Sequence, residues 1–474
     1  MPEIQLDALV VGTGFSGIYQ LYSLLKLGLK CRAIDVAEDV GGAWYWNRYP
    51  GAMSDSPSVV YRYSFDKEEL LTYPWPNNYV MQHEILEYLR HFVEKHSLRK
   101  HMQFKTELVS AEWDEGIQRW FARCSNGQVF VVRYLITALG QLSKKNVPDI
   151  PGVNRKDLKV KVVHSSSWDE SLDARGKRVG IIGNGSSGVQ IVSAIADKVG
   201  ELHCFIRHPQ YTVPAGLRAV SPRERQEIND NYDRIWDECW QSMTGFGFME
   251  ASRATMSVTP EEREKIFEAL WQEGNAFHFL FGAFGDIFTS EEANEEVCKF
   301  LRKTITQIVQ DPDKAAVLTP RDGYTRRPLC DNGYYDKFNQ INVFAIDIKN
   351  NPITSIEENG VLTADGKLHE LDILVLATGF HAVDVSFKAI RNGIRGRNGV
   401  YLSDHWKHQP KTYLSLFVSG FPNLFVLGGP MGPFSNALPG VMAEASFLNE
   451  LLYEMETGRK ERVVEALPEA EDNG

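Results

Sequence analysis

A short apolar strand that runs into a glycine-rich turn and then into a helix occurs twice in this chain, and no other feature limits its fold as strongly. The first copy is Ala8-Leu9-Val10-Val11, then Gly12-Thr13-Gly14-Phe15-Ser16-Gly17, then a helix expected from Ile18 to Leu27 and closed by Gly28. The second is Val179-Gly180-Ile181-Ile182, then Gly183-Asn184-Gly185-Ser186-Ser187-Gly188, then a helix expected from Val189 to Val199 and closed by Gly200. The copies lie too far apart for a solenoid repeat. The chain is therefore read as α/β, with two Rossmann-like dinucleotide-binding domains.

A helix N-terminus exposes unpaired N–H groups and the positive end of the helix dipole, so a diphosphate binds there when glycine lets the backbone approach. Gly12, Gly14 and Gly17 form one such seat, and Gly183, Gly185, Ser186 and Gly188 form the other. The residue closing the next strand separates the two ligands. Asp35 follows Cys31-Arg32-Ala33-Ile34, where a carboxylate accepts from ribose hydroxyls and repels a 2′-phosphate, which suits FAD or NAD. Arg207 follows Leu202-His203-Cys204-Phe205-Ile206, where a guanidinium pairs with a 2′-phosphate, which favours NADP. An acid-marked and an arginine-marked site in one chain imply electrons passing from NADPH to a flavin.

The rest of the chain is organised around these loops. Val80–Lys95 reads as a helix, and Trp113–Cys124 and Val129–Ile136 as antiparallel strands about the turn Ser125-Asn126-Gly127. Two prolines in Asn146–Gly152 mark a crossover between domains. From Ser221 to about Asp311 the pattern is helical, with capping-box starts at Ser221–Glu224 and Thr259–Glu262 and an acidic start near Thr289. Strand character returns at Val343–Ile346 and Leu371–Leu376, and the charged tail after Gly458 is expected to fray. These boundaries predict a FAD-binding domain in 1–144 and 371–474, an NADP-binding domain in 145–218 and 322–370, and a helical insertion in 219–321.

Composition removes several classes. Of 474 residues 43% are hydrophobic and 24% charged, which is ordinary globular usage. The net charge of −11 opposes nucleic-acid binding and gives no polybasic membrane footprint. No apolar run is long enough to span a bilayer and no cationic leader precedes the first strand, so a cytoplasmic protein without membrane insertion is expected. The cysteines Cys31, Cys124, Cys204, Cys239, Cys298 and Cys330 lie singly, which predicts reduced, buried thiols and argues against a disulfide reductase. The histidines and acids form no metal-ligand pattern.

One segment says where the electrons go. Gly41-Gly42-Ala43-Trp44-Tyr45-Trp46-Asn47-Arg48-Tyr49-Pro50-Gly51-Ala52-Met53-Ser54-Asp55 resembles the signature that separates Baeyer–Villiger monooxygenases from other class B flavoprotein monooxygenases. The resemblance extends over both glycine loops, Gly140-Gln141-Leu142-Ser143, Arg326-Arg327-Pro328, Ala377-Thr378-Gly379, Phe421-Pro422-Asn423-Leu424-Phe425 and Gly429-Pro430. The family's second fingerprint is kept in His164, Trp168 and Asp169, while Leu158 and Val160 replace its aromatic and its glycine. Trp168-Asp169 favours the Baeyer–Villiger branch over relatives that oxidise heteroatoms.

What the resemblance implies is specific. NADPH reduces FAD, O2 adds to give a C4a-peroxyflavin, and its anion attacks a ketone carbonyl to yield an ester or lactone. A fixed cation suits that chemistry better than a titrating base. Arg327 takes the role of that cation and Asp55 the role of its carboxylate partner. Gly42, Trp44, Trp46 and Gln141 are implied as contacts of the flavin, with Asp55 counted among the cofactor contacts as well. Arg326 is implied to join Arg207 at the 2′-phosphate, where His208 stands in place of a small hydroxyl residue. His164 is read as a packing or orienting group at the domain linker. Because the sequence ends at Gly474, the resemblance implies a substrate site that is more open than in many relatives or is covered by another loop.

Two other functions fit parts of the pattern. One is a flavin monooxygenase acting on nitrogen or sulfur, which a sulfide or amine substrate separates from a ketone oxidant. The other is a catalytically silent FAD/NADP-binding sensor, which consumes no NADPH in air. The aromatics of the insertion, among them Trp236, Trp240, Phe246, Phe248, Trp271 and Phe277, fit a core at helical spacing or the lining of an apolar pocket.

Overall fold

The computed structural model describes residues 3–381, 385–388, 390–432, 435–458 and 463–473. It divides into two compact units, Met1–Trp46 with His83–Lys144 and Phe380–Gly474, and Asn47–Gln82 with Lys145–Gly379.

The first unit is built on a sheet of eight described strands. Its dinucleotide half is parallel: Glu3–Val11 lies between Cys31–Ile34 and Val129–Thr137, and Leu424–Val426 adds to the far side of Val129–Thr137. Ala8, Leu9 and Val10 are fully buried because a parallel strand is covered on both faces. Antiparallel strands Leu108–Asp114 and Arg119–Cys124 extend the sheet. The expected single strand Trp113–Cys124 is therefore corrected to a hairpin, since the Asp114 carboxylate accepts from the backbone N–H of Gly116 and Ile117 and turns the chain. Helix Ala437–Tyr453 runs beside helix Phe15–Lys26, tied by a 3.0 Å contact between the Tyr19 and Ser446 hydroxyls and by the Gln20 amide donating to Asn449 at 2.8 Å.

The second unit carries a wholly parallel five-stranded sheet in the order Val343–Asp347, Glu201–Ile206, Arg178–Ile182, Ile373–Leu376, Lys161–His164. Strand Ile373–Leu376 thus belongs with the second glycine loop, and the expected boundary at 371 moves to Gly379. The stretch 47–82 also leaves the first domain to which the sequence assigned it: Tyr49, Ala52 and Met53 pack into the core formed by Val189, Ile191 and Val192. Apolar burial against a remote helix overrides continuity of chain.

The helical insertion runs from Pro222 to Leu318. Thr259 and Glu262 close a complete capping box. At Ser221 only half forms, because the Glu224 carboxylate is drawn to Arg218 instead. Phe267, Phe279 and Phe284 are fully buried core rings, whereas Trp240 is exposed. Both dinucleotide helices start earlier than expected, at Phe15 and Ser186, and the second ends at Ile195. The expectation of a frayed tail is overturned within 463–473: Glu471 is buried and accepts from Ser419 N–H and His405 Nε2. Residues 459–462 lie outside the described ones. The six cysteines are buried and unpaired, and burial pushes the Cys31 thiol up to about 12. Among the described residues no helix is long and apolar enough to cross a membrane.

Candidate active site

In the first unit the glycine loop closes on itself. A Cβ at Gly17 would stand 1.9 Å from the carbonyl oxygen of Gly12, so helix and strand approach more closely than any side chain allows. Gly14 caps helix Phe15–Lys26 with no side-chain hydrogen bond, which leaves the terminal N–H groups for an anion. Gly42 presses on the same loop, with a Cβ there 2.8 Å from Gly14 Cα. Asp35 accepts from Thr13 N–H at 2.7 Å and Thr13 Oγ1 at 2.8 Å on one oxygen, and from Ala37 N–H at 2.8 Å on the other. The carboxylate braces the loop and keeps lone pairs for a ribose. Trp44 and Trp46 lie on the short helix Ala43–Trp46, with Trp46 40% exposed. Gln141 is exposed just beyond strand Val129–Thr137, at the carboxyl edge of the sheet. An uncapped helix and a glycine cradle that a Cβ would fill fit a flavin dinucleotide.

The second unit repeats the cradle. A Cβ at Gly188 would stand 2.2 Å from the Gly183 carbonyl oxygen, and Gly185 caps helix Ser186–Ile195 without a side-chain bond. Arg207 and His208 follow strand Glu201–Ile206. Arg207 and Arg326 are exposed and His208 is half-buried. Burial, then the charges of Arg326, Arg207 and Lys349, hold the His208 imidazole below its usual pKa. Lys349 had no motif to mark it in the sequence.

Asp55 and Arg327, expected as partners, meet in this unit. Arg327 Nη2 donates to Asp55 Oδ2, and Nη1 donates to Ser186 Oγ at 2.9 Å and to the Pro328 carbonyl at 3.1 Å. The guanidinium carbon lies 5.3 Å from the ring centre of Phe277. Burial lowers the pKa of Arg327, but the charge and hydrogen bond of Asp55 outweigh it and carry the group above the usual arginine value. The side chain is nonetheless 46% exposed, so the cation faces open space. It stands at the N-terminus of the second dinucleotide helix.

The elements around the pair fix it. Asn275 donates through Nδ2 to the Asp55 carbonyl at 3.3 Å and to Tyr79 Oη at 2.7 Å. The Tyr49 hydroxyl donates to Gln190 Oε1 at 2.9 Å, and Gln190 Nε2 donates to the Met53 carbonyl at 3.2 Å. A Cβ at Gly51, whose φ is +82°, would lie 2.6 Å from the Gln190 carbonyl oxygen, so only glycine lets the signature segment lie against the helix. Gln190, Asn275, Tyr79 and Phe277 were not singled out for the site, and Phe277 was noted only among the insertion's aromatics. A buried glutamine one turn into a dinucleotide helix was the one available signal. His164 lies at the end of strand Lys161–His164, its ring bonded to Ser166 Oγ at 2.9 Å and Gly379 O at 3.1 Å. Among the described residues no group of three His, Cys, Asp or Glu side chains could hold a metal.

The sequence model of the "Flavin-binding monooxygenase-like" family matches residues 7–208. The chain is 45% identical over 471 residues to a phenazine N-monooxygenase of Lysobacter antibioticus, covering 99% of this chain and 86% of that protein. It is 43% identical over 451 residues to a Baeyer–Villiger monooxygenase of Pseudooceanicola batsensis, covering 95% and 82%. The crystal structure of cyclohexanone monooxygenase from Rhodococcus sp. Phi1 bound to NADP+ superposes with a TM-score of 0.97 at 44% identity, over 100% of this chain and 88% of that one. With both glycine cradles and the signature segment in place, the chain belongs to the Baeyer–Villiger monooxygenase family of flavin-binding monooxygenases.

Proposed function

We propose that this chain inserts one oxygen atom of O2 beside the carbonyl of a ketone, giving an ester or lactone, with Arg327 as the cation of the reaction and Asp55 as its positioning partner. The enzyme is an FAD- and NADPH-dependent oxidoreductase with O2 as oxidant. Bound FAD supplies the reaction with O2, and NADPH supplies the hydride.

The observation that carries the reading is the Asp55–Arg327 pair at the N-terminus of helix Ser186–Ile195. A guanidinium remains charged at every working pH, so it stabilises negative charge on oxygen without donating the proton that would quench it. Asp55 and Ser186 each hold one terminal nitrogen, and the Phe277 ring supports the group by cation–π contact. Asn275 fixes the backbone of Asp55, so the carboxylate cannot follow the guanidinium away. Gly12, Gly14, Gly17, Asp35, Gly42, Trp44, Trp46 and Gln141 are assigned to FAD. Gly183, Gly185, Ser186, Gly188, Arg207, His208 and Arg326 are assigned to NADPH.

Aerobic incubation with NADPH and a panel of cyclic, linear and aryl ketones tests this reading, scored for products heavier by one oxygen atom and labelled from 18O2. Ketone-stimulated NADPH consumption without oxygen incorporation overturns it. Oxidation at nitrogen is the second reading, favoured by the 45% identity to the phenazine N-monooxygenase. Aromatic N-heterocycles and a sulfide in the same panel decide between them, since a soft nucleophile gives an N- or S-oxide and no ester.

A further inference from the structure

Four segments of the second unit converge at the carboxyl ends of its parallel sheet. Strand Glu201–Ile206 delivers Arg207 and His208. Strand Val343–Asp347 runs beside it with Asp347 opposite Ile206, and Ile348 N–H donates to the Ile206 carbonyl at 3.0 Å, so the register brings Lys349 alongside His208. The loop leading to Arg326 is pinned to the same place by Tyr211, whose hydroxyl donates to the carbonyls of Pro320 at 3.3 Å and Asp322 at 3.1 Å. The Tyr211 and Tyr324 rings lie 5.1 Å apart and stiffen that contact. The glycine loop starts alongside, with Gly183 N–H donating to the Phe205 carbonyl at 3.3 Å.

The charged groups that face His208 come from three of these elements. Arg326 and Asp322 lie on the pinned loop, Arg207 on its own strand end, and Lys349 on the neighbouring strand end. Burial and these three cations, opposed by the one carboxylate, disfavour the charged form of the imidazole.

We propose that His208 takes up a proton from solvent when the 2′-phosphate of NADPH binds, so that this chain's preference for NADPH over NADH is proton-linked. The inference rests on the NADPH reading above. A phosphate monoester carries about −1.5 to −2 charges near neutral pH, enough to reverse the field that the three cations impose on the ring. Protonated, the imidazole offers N–H donors on both nitrogens to the phosphate. A hydroxyl side chain at this position would give one hydrogen bond and no proton. By linkage, affinity for the 2′-phosphate falls as pH rises between the ring's pKa in the free and in the bound protein, by up to about tenfold per pH unit.

Calorimetric titration of the FAD-loaded protein with NADP+, 2′-AMP and NAD+ tests this, from about pH 6.5 to 8.5 and in buffers of two ionisation enthalpies. The lower limit stays above the second pKa of the phosphate itself, which is about 6. The expected result is a Kd for NADP+ that weakens as pH rises across the range, by no more than about tenfold per pH unit, with net proton uptake on binding. 2′-AMP should show the same uptake, and NAD+ none. His208→Asn and His208→Gln should abolish the uptake and flatten the profile. The same pH profile and proton count in wild type and both variants overturns the proposal. Equal affinity of the wild type for NADP+ and NAD+ at every pH overturns the NADPH reading instead.

Discussion

The guanidinium of Arg327 is bonded through one terminal nitrogen to the carboxylate of Asp55 and through the other to the hydroxyl of Ser186. Asp55 lies in the signature segment and Ser186 opens the second dinucleotide helix, so two motifs that the sequence displays far apart are joined by one cation.

Because Arg327 is half exposed, the ion pair contributes no more than about 1 kcal/mol to folding, and its loss should leave the protein folded. Arg327→Ala and Asp55→Ala are expected to lower oxygen insertion by about 10²-fold or more, the range for removing a group that stabilises charge in the transition state. FAD content, read from flavin absorbance, should be unchanged. Variants that keep full product yield would remove both residues from the reaction.

The two cradles fail separately. Gly17→Ala sets a methyl against the Gly12 carbonyl, and Gly188→Ala sets one against the Gly183 carbonyl. Each overpacking costs about 1–3 kcal/mol, equivalent to about five- to 150-fold weaker binding at the loop concerned. Purified Gly17→Ala should carry less flavin, while Gly188→Ala should be yellow and bind NADP+ poorly by calorimetry.

Glu444 offers a pH probe of the first unit. Burial pushes its carboxyl up to about 7, against the opposing hydrogen bond from Gly428 N–H. The folded protein therefore holds the proton more tightly than the unfolded chain. Stability present below the ordinary carboxyl value is lost as pH rises through about 7, by at most about 1.4 kcal/mol per pH unit. Glu444→Gln keeps an acceptor for Gly428 and removes the charge, so its denaturation midpoint should exceed that of the wild type at pH 8 and match it at pH 4.5.

His369 gives the opposite slope in the second unit. Burial first, then the charges of His203 and Lys367, hold its ring down at about 4. The unfolded chain binds the proton first on acidification. Stability present above the ordinary histidine value of about 6.5 is lost as pH falls towards 4, again by no more than about 1.4 kcal/mol per pH unit. His369→Gln should flatten that part of the profile in urea denaturation, and an unchanged slope would remove His369 as its cause.

The two strand–turn–helix loops were legible because they are local: apolar runs, glycine spacing and the residue after the next strand are all read within a few turns of chain. Asp35 and Arg207 stand at strand ends as that spacing requires. The capping box at Thr259 formed as written, and the half-box at Ser221 failed because Arg218 competes for Glu224. Hairpin Leu108–Cys124 was missed because the turn made by Asp114 and Gly116 carries no Asn-Gly or Pro-Gly pair to mark it within the strand-like stretch.

By itself, then, the amino-acid order determined that the chain builds two dinucleotide seats and carries an oxygenase signature, since both are stretches whose backbone requirements glycine and proline impose locally. Only the tertiary structure decided that 47–82 and Ile373–Leu376 belong with the second seat, that Gln190, Asn275 and Phe277 hold the Asp55–Arg327 pair, and that Lys349 stands beside His208. Those outcomes depend on apolar burial and charge pairing between residues remote in sequence. No periodicity records such contacts, because they exist only once strands have chosen their neighbours.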